Sequence, residues 1–218
     1  MSIFHISPQN RQKVPPDVSF ALRCPSCRQI GTFETPISDL TDLREVSQGT
    51  RFGHRICPNT TCHAHVFAVL DNSGNVVVTY PPELLDFDTA AVPDAVVSSM
   101  TEALVCHAHG AMRGSALMIR RTLEDLCADR GADGENLLDR IHALADLVVV
   151  PPELLSGVDN LRLLGNDAAH VKARDYEDIG DDEVALAIEV TKELIKSVYQ
   201  FKDLVAKLEA LKSRNQEE

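Results

Sequence analysis

Two pairs of cysteines near the start of the chain carry the clearest chemistry in this sequence. Cys24 and Cys27 stand in the tetrapeptide CPSC, and Cys57 and Cys62 enclose the residues PNTT. A short turn between two cysteines lets both sulfurs reach one ion, and two such turns complete a tetrahedron. We therefore predict a zinc ribbon in which these four cysteines hold a structural Zn²⁺ and leave no open coordination position.

Histidines beside the second cysteine pair leave another ligand set open. His54, His63 or His65 could replace one of the cysteines. Farther along the chain, Cys106 and His109 are three residues apart and share a face of a predicted helix. Two ligands on one helix are more typical of a buried cysteine and an ordinary histidine than of a metal site.

Arginines and phenylalanines alternate around the two cysteine pairs. On a zinc ribbon, such residues can bind nucleic acid by pairing with phosphates and stacking on bases. Solvated arginines above a small aromatic core explain the same pattern, so both interpretations stay open here. The candidate nucleic-acid-binding residues are Arg23, Arg28, Arg51 and Arg55.

A third group of polar residues lies in the segment NLRLLGNDAAH, residues 160–170. In a helix, Arg162, Asn166 and His170 are spaced i, i+4 and i+8 and form one polar stripe. An arginine and a histidine on one face can bind a phosphate and move a proton. Gly165 falls on the apolar face and allows close helix packing, which favours a structural role for the stripe instead.

The spacing of apolar residues predicts an α+β chain with two domains. Short β-runs separated by turns occupy residues 18–80, and apolar residues recur at helical spacing from Pro93 onward. We predict a zinc-ribbon domain with a short N-terminal arm at residues 1–80. A Pro-rich linker at 81–92 and a helical bundle at 93–218 would follow.

Charge differs between the two parts of the chain, whose net charge is −12. Residues 1–79 hold seven basic and six acidic side chains, whereas residues 80–218 hold fourteen and twenty-seven, a net of −13. An acidic surface repels phosphate backbones, so the helical part is excluded as a general nucleic-acid binder. The near-neutral first part is the candidate for such binding.

The sequence predicts neither a membrane span nor a signal peptide. Its longest apolar run, residues 145–155, is interrupted by Asp146, Pro151 and Pro152, and the first residues lack the apolar stretch of a signal peptide. We therefore expect a cytoplasmic protein without membrane contact. A reducing compartment favours metal binding over disulfides for the six cysteines.

The last predicted helix is longer than a compact bundle requires. Its apolar stripe begins at Val184 and continues through Phe201, Leu204, Leu208 and Leu211. Apolar surface beyond the bundle needs a partner, and a second copy of the chain is the commonest one. The sequence therefore predicts a homodimer.

The order of these motifs resembles a bacterial domain family of unknown function in the HEPN-like helical superfamily. The resemblance spans roughly residues 20–210 and rests on CPSC, CPNTTC, RRTLE and LGNDAAH, most specifically on Arg120, Arg121, Glu124 and residues 165–170. It implies an antiparallel bundle of four to five helices behind a zinc ribbon, often as a homodimer. It also implies a link to bacterial restriction and phage-defence systems.

Two functions follow from the motifs and the resemblance together. The first is a dimeric binding or adaptor module whose ribbon binds nucleic acid or a protein. The alternative is a metal-independent endoribonuclease in which His170 is the general base, Arg162 stabilises the phosphate and Asn166 orients it. Catalytic HEPN members have an arginine about four to six residues before the histidine. Seven residues separate the pair here, so we favour the module.

Overall fold

The chain divides into two compact units, Met1–Asp86 and Phe87–Glu218. The computed structural model describes residues 11–15, 18–35, 42–45, 49–159 and 179–214. Strands fill the first unit and helices the second, so the predicted α+β class is confirmed. Within the described ranges, no helix combines the length and the apolar character needed to cross a bilayer.

The first unit is built from short antiparallel strands. Five of them form a sheet in the order β1-β4-β5-β6-β7, and β2 and β3 form a separate hairpin. β6 and β7 are antiparallel and are joined through the turn at residues 71–75. The bounds are β1 Arg11–Val14, β2 Phe20–Arg23, β3 Ile30–Phe33, β4 Asp42–Glu45, β5 Arg51–Ile56, β6 His65–Leu70 and β7 Val76–Tyr80.

The core of the first unit is small and includes two of the cysteines. Phe20 and Phe33 pair across the β2–β3 hairpin, with parallel rings whose centroids are 6.4 Å apart. Cys24 and Cys57 are buried in the same cluster as these rings. The other members come from the hairpin and from one face of β6: Leu22, Val66, Ala68 and Leu70.

A buried ion pair joins two neighbouring strands of the sheet, β4 and β5. The side chain of Arg55 has 0% exposure, and its two terminal nitrogens bind the two carboxylate oxygens of Asp42 at 2.9 and 2.8 Å. The remaining N–H groups donate to the carbonyls of Val18 and His54. All five N–H donors of the guanidinium are therefore used, which is what makes burial of this charge tolerable.

Gly53 is required by this ion pair. A Cβ atom at Gly53 would lie 2.0 Å from a carboxylate oxygen of Asp42 and 2.5 Å from a terminal nitrogen of Arg55. Both atoms belong to the bidentate contact, so a side chain at this position would force the carboxylate or the guanidinium to move.

The second unit is a set of packed helices around α2. Its core is apolar, and α2 packs against α1, α3 and α5. The hydroxyl of Ser115 on α2 donates to the carbonyl of Ala103 on α1 at 2.8 Å, inside the core. The bounds are α1 Asp94–Ala108, α2 Met112–Arg130, α3 Leu137–Leu147, α4 Pro152–Asp159, α5 Asp181–Ile195 and α6 Phe201–Arg214.

A π-helical turn interrupts the long last helix. Sequence analysis predicts one apolar stripe from Val184 to Leu211, but residues 196–200 form a π-helix between α5 and α6. A π-turn holds more than 3.6 residues and changes the direction in which later side chains point. Val184, Ala187, Ile188, Leu194 and Ile195 of α5 are buried, whereas the large apolar residues of α6 are exposed.

We predict that Asp42→Ala destabilises the first unit by about 3–5 kcal/mol, because it leaves the Arg55 charge buried without a counter-ion. The double replacement Asp42→Leu with Arg55→Met removes both charges and should cost clearly less. Urea unfolding followed by circular dichroism measures both. Glu34→Gln, which neutralises an exposed carboxylate of the same unit, is the matched control. A double variant as unstable as Asp42→Ala would contradict the prediction.

Candidate metal centre

The first cysteine pair lies in a tight turn between β2 and β3. The backbone N–H of Cys24 donates to the carbonyl of Gln29, and the N–H of Arg28 donates back to the carbonyl of Cys24. Arg28 has a φ of 66°, in the left-handed region. Non-glycine residues rarely adopt this conformation outside turns. The turn brings the side chains of Cys24 and Cys27 to the same side.

The second pair lies in a longer turn between β5 and β6. The N–H groups of Cys62 and His63 donate to the carbonyl of Asn59, and the N–H of Cys57 donates to the carbonyl of Ala64. His63, like Arg28, directly follows the second cysteine of its pair and has a positive φ of 49°. The two turns thus end in the same backbone conformation, although the second has four residues between its cysteines and the first has two.

The two turns bring four thiols together. The sulfur of Cys24 lies 3.8 Å from that of Cys62, and the sulfur of Cys27 lies 3.8 Å from that of Cys57. All four sulfurs lie within 4.8 Å of one another. Four soft donors at this spacing could hold one metal ion, which is what the spacing of the cysteines predicts.

The two turns give their thiols different acidities. Burial raises the pKa of Cys57 to about 12. The backbone N–H of Gln29, directed at the sulfur, lowers the pKa of Cys27 to about 7. A metal ion requires thiolates, so its binding would release protons and would weaken as the pH falls.

Asn59 supports the cluster from outside and was not identified from the sequence. Its amide nitrogen lies 3.6 Å from the sulfur of Cys27 and 2.9 Å from the side-chain oxygen of Gln29. Its amide oxygen accepts from the N–H and the hydroxyl of Thr61. Asn59 therefore joins the two turns. The available signal was an asparagine directly after the second Cys-Pro, a typical turn residue.

The histidines considered as alternative ligands lie elsewhere. Nδ1 of His65 contacts Nε2 of His54 at 2.8 Å, and His63 is exposed. Among the described residues, the one group of three or more metal-ligating side chains that lie close together consists of the four cysteines. Cys127 is buried in the helical unit, where burial raises the pKa of its thiol to about 12.

The four arginines near the cysteines have different surroundings. Arg55 is fully buried against Asp42, where it holds the sheet. Arg23 forms ion pairs with Glu83 and Asp86, and Arg28 contacts Asp86 and the carbonyl of Leu85. A nucleic-acid role for Arg23, Arg28 and Arg51 stays a prediction.

The stripe proposed for catalysis lies outside the described residues. Arg162, Asn166 and His170 all fall within residues 160–178, so both roles predicted for the stripe stay predictions. On α2, Arg120 and Glu124, two of the residues on which the resemblance rests, form an i, i+4 ion pair at 3.2 Å.

Comparison with known proteins places the second unit in a family. The profile described as a domain of unknown function, DUF4145, matches residues 101–214, which is more than half of the chain. The chain belongs to the DUF4145 family. No curated protein and no solved structure is detectably similar to the chain.

The DUF4145 match covers the helical unit and not the cysteine cluster. It begins within α1 and ends at the last described residue of α6. Cys24, Cys27, Cys57 and Cys62 all precede it. In this DUF4145 protein, the candidate metal centre therefore belongs to a separate N-terminal unit.

We predict that Asn59→Ala lowers the affinity of the cluster for a divalent metal by about 10–100-fold, because a residue that orients the ligands is lost. Titration of the metal-free protein with Co²⁺, followed by thiolate-to-cobalt absorption, measures the affinity. The control is Thr60→Ala at the exposed neighbouring position. Equal affinities of the Asn59 variant and the native protein would show that the turns alone fix the sulfurs.

Proposed function

We propose that this DUF4145 protein is a binding module made of a zinc ribbon and a HEPN-like helical unit that pairs with a second copy of the chain. The convergence of four cysteine sulfurs carries the first part of the proposal. The exposed apolar side of α6 carries the second part. The predicted partner of the ribbon is a nucleic acid or a protein, and for a nucleic acid the near-neutral residues 1–79 are more favourable than the acidic rest of the chain.

Zinc suits the cysteine cluster by donor type and by distance. Thiolates favour Zn²⁺ among the common divalent ions, and four of them form a closed tetrahedral site. Tetrahedral bonds of about 2.3 Å place neighbouring sulfurs about 3.8 Å apart. Two pairs of sulfurs, from Cys24 and Cys62 and from Cys27 and Cys57, have this separation.

A zinc ion held in this way supports folding and leaves no position for a reacting molecule. Two of its ligands, Cys24 and Cys57, are part of the small core of the first unit. Without the ion, four thiols would have to fill this space, and burial would oppose the deprotonation of Cys57. Bound zinc can contribute on the order of 10 kcal/mol to the folding of such a unit.

We predict one zinc per chain, lost in Cys57→Ser together with the fold of the first unit. Elemental analysis of freshly purified protein gives the stoichiometry, and circular dichroism gives the loss of strand structure. Cys106→Ser, which changes a half-buried cysteine of the helical unit, is the control and should keep its zinc. Freshly purified protein without metal would contradict the proposal.

The proposed pairing of two chains rests on α6. Phe201, Leu204, Leu208 and Leu211 recur at intervals of three, four and three residues, which is the pattern of a helix seam that packs on another helix. These residues and Val205 are each between 41% and 57% exposed. Within the described chain, α6 packs mainly on the π-helical turn that precedes it.

A recess at the start of α6 adds to this surface. It has a volume of ≈ 470 Å³, and its lining includes Val149, Phe201 and Val205. Val149 follows α3 and is highly exposed. The recess extends the apolar seam toward the body of the helical unit and offers space for side chains of a second copy.

We predict that the protein is a dimer at micromolar concentration and that Leu208→Glu makes it monomeric, because a charge would be buried in the seam. Light scattering coupled to gel filtration gives the mass. Leu186→Glu is the matched control: Leu186 lies on α5, is 60% exposed and stands outside the seam. A native monomer, or a dimer that persists in Leu208→Glu, would overturn the α6 interface.

A further inference from the structure

Two imidazoles meet on the first unit, apart from the cysteine cluster. Nδ1 of His65 lies 2.8 Å from Nε2 of His54. The rings are parallel within 2°, and their centroids are 4.8 Å apart. His65 is exposed and His54 is half-buried, so solvent reaches the pair.

The strands fix this arrangement. His54 on β5 pairs with Phe67 on β6, and Ile56 pairs with His65, so the two histidines are diagonal neighbours on one sheet face. The β5–β6 ladder runs without interruption from Arg51 to Ile56. Both imidazoles are thus held in place by the backbone of a regular sheet.

The pair has the chemistry of a chelate. Only one proton fits between the two facing nitrogens, so one of them supplies a lone pair in the neutral state. Burial and the neighbouring His65 lower the pKa of His54, which keeps its ring neutral and able to bind a metal. Two nitrogens bound at right angles with bonds of about 2.0–2.1 Å are about 2.8–3.0 Å apart, close to the separation found here.

We propose that His54 and His65 form a second metal site, a two-imidazole chelate for a divalent transition ion that favours nitrogen ligands at right angles. Cu²⁺ and Ni²⁺ are the ions of this class. The proton between the rings would move through water to the outer nitrogen of the same ring, so that both facing nitrogens could bind the ion from one side, and water would complete its coordination. This proposal does not depend on the identity of the metal at the cysteines.

The test is a calorimetric titration of the purified full-length protein with NiCl₂, with metal at the cysteine cluster measured before and after. We expect one Ni²⁺ per chain, bound without loss of the metal already present. Since the second ring acts as an intramolecular ligand, His65→Ala should weaken binding about 100-fold, and His54→Ala should do the same. His63→Ala is the matched control, because His63 is an exposed histidine two residues before His65, and this variant should bind like the native protein.

A second readout needs no variant. Paramagnetic Ni²⁺ should broaden the NMR signals of the His54 and His65 rings before those of the other histidines. Nickel uptake that His65→Ala leaves unchanged would overturn the proposal. So would the absence of saturable uptake, or uptake matched by release of metal from the cysteines.

Discussion

The fold of the first unit depends on the buried guanidinium of Arg55 and on the hydrogen bonds that use all of its N–H groups. Arg55 is isolated from water, and its guanidinium is tolerated because Asp42 and two backbone carbonyls take all five of its N–H donors. The contact joins β4 to β5 and ties the segment before β2 to the sheet through the carbonyl of Val18. Gly53 has no side chain because the carboxylate occupies that space.

Strand β5, which carries Arg55, also helps to position the cysteine cluster and the imidazole pair of the first unit. β5 carries His54 and Arg55 and ends at Ile56, directly before Cys57. The ion pair holds β5 at Arg55, two residues before the candidate ligand Cys57. The pairing of β5 with β6 sets the distance between His54 and His65. A variant that breaks the ion pair would therefore disturb the cysteine turn as well as the imidazole pair.

Local patterns in the sequence predicted the parts of the fold that depend on near neighbours. The two Cys-Pro turns join residues close in sequence, and so do the helices that the apolar spacing from Pro93 onward predicts. Arg55 is different, because its partner is thirteen residues away and nothing in the spacing connects them. Next to a cysteine, an arginine is an equally good candidate for phosphate binding, so only the fold could place it in the core.

The π-helical turn of the second unit is another feature that local sequence patterns do not predict. A continuous α-helix would keep residues 184–211 on one stripe, and the sequence contains no proline or glycine there to suggest otherwise. The π-turn includes Tyr199, whose hydroxyl donates to Asp129 and whose ring lies under Arg130, both at the end of α2. We interpret these long-range contacts as the reason why the extra residue is accommodated at this point of the helix.

In our proposal, neither unit is complete by itself, and a different partner completes each one. Each leaves a surface that its own residues do not complete: four converging thiols in the first unit and the apolar seam of α6 in the second. A metal ion completes the first because thiolates need a cation. A second copy of the chain completes the second because a seam with a spacing of three and four residues fits another helix. The stability of one unit would then follow metal supply, and that of the other would follow protein concentration.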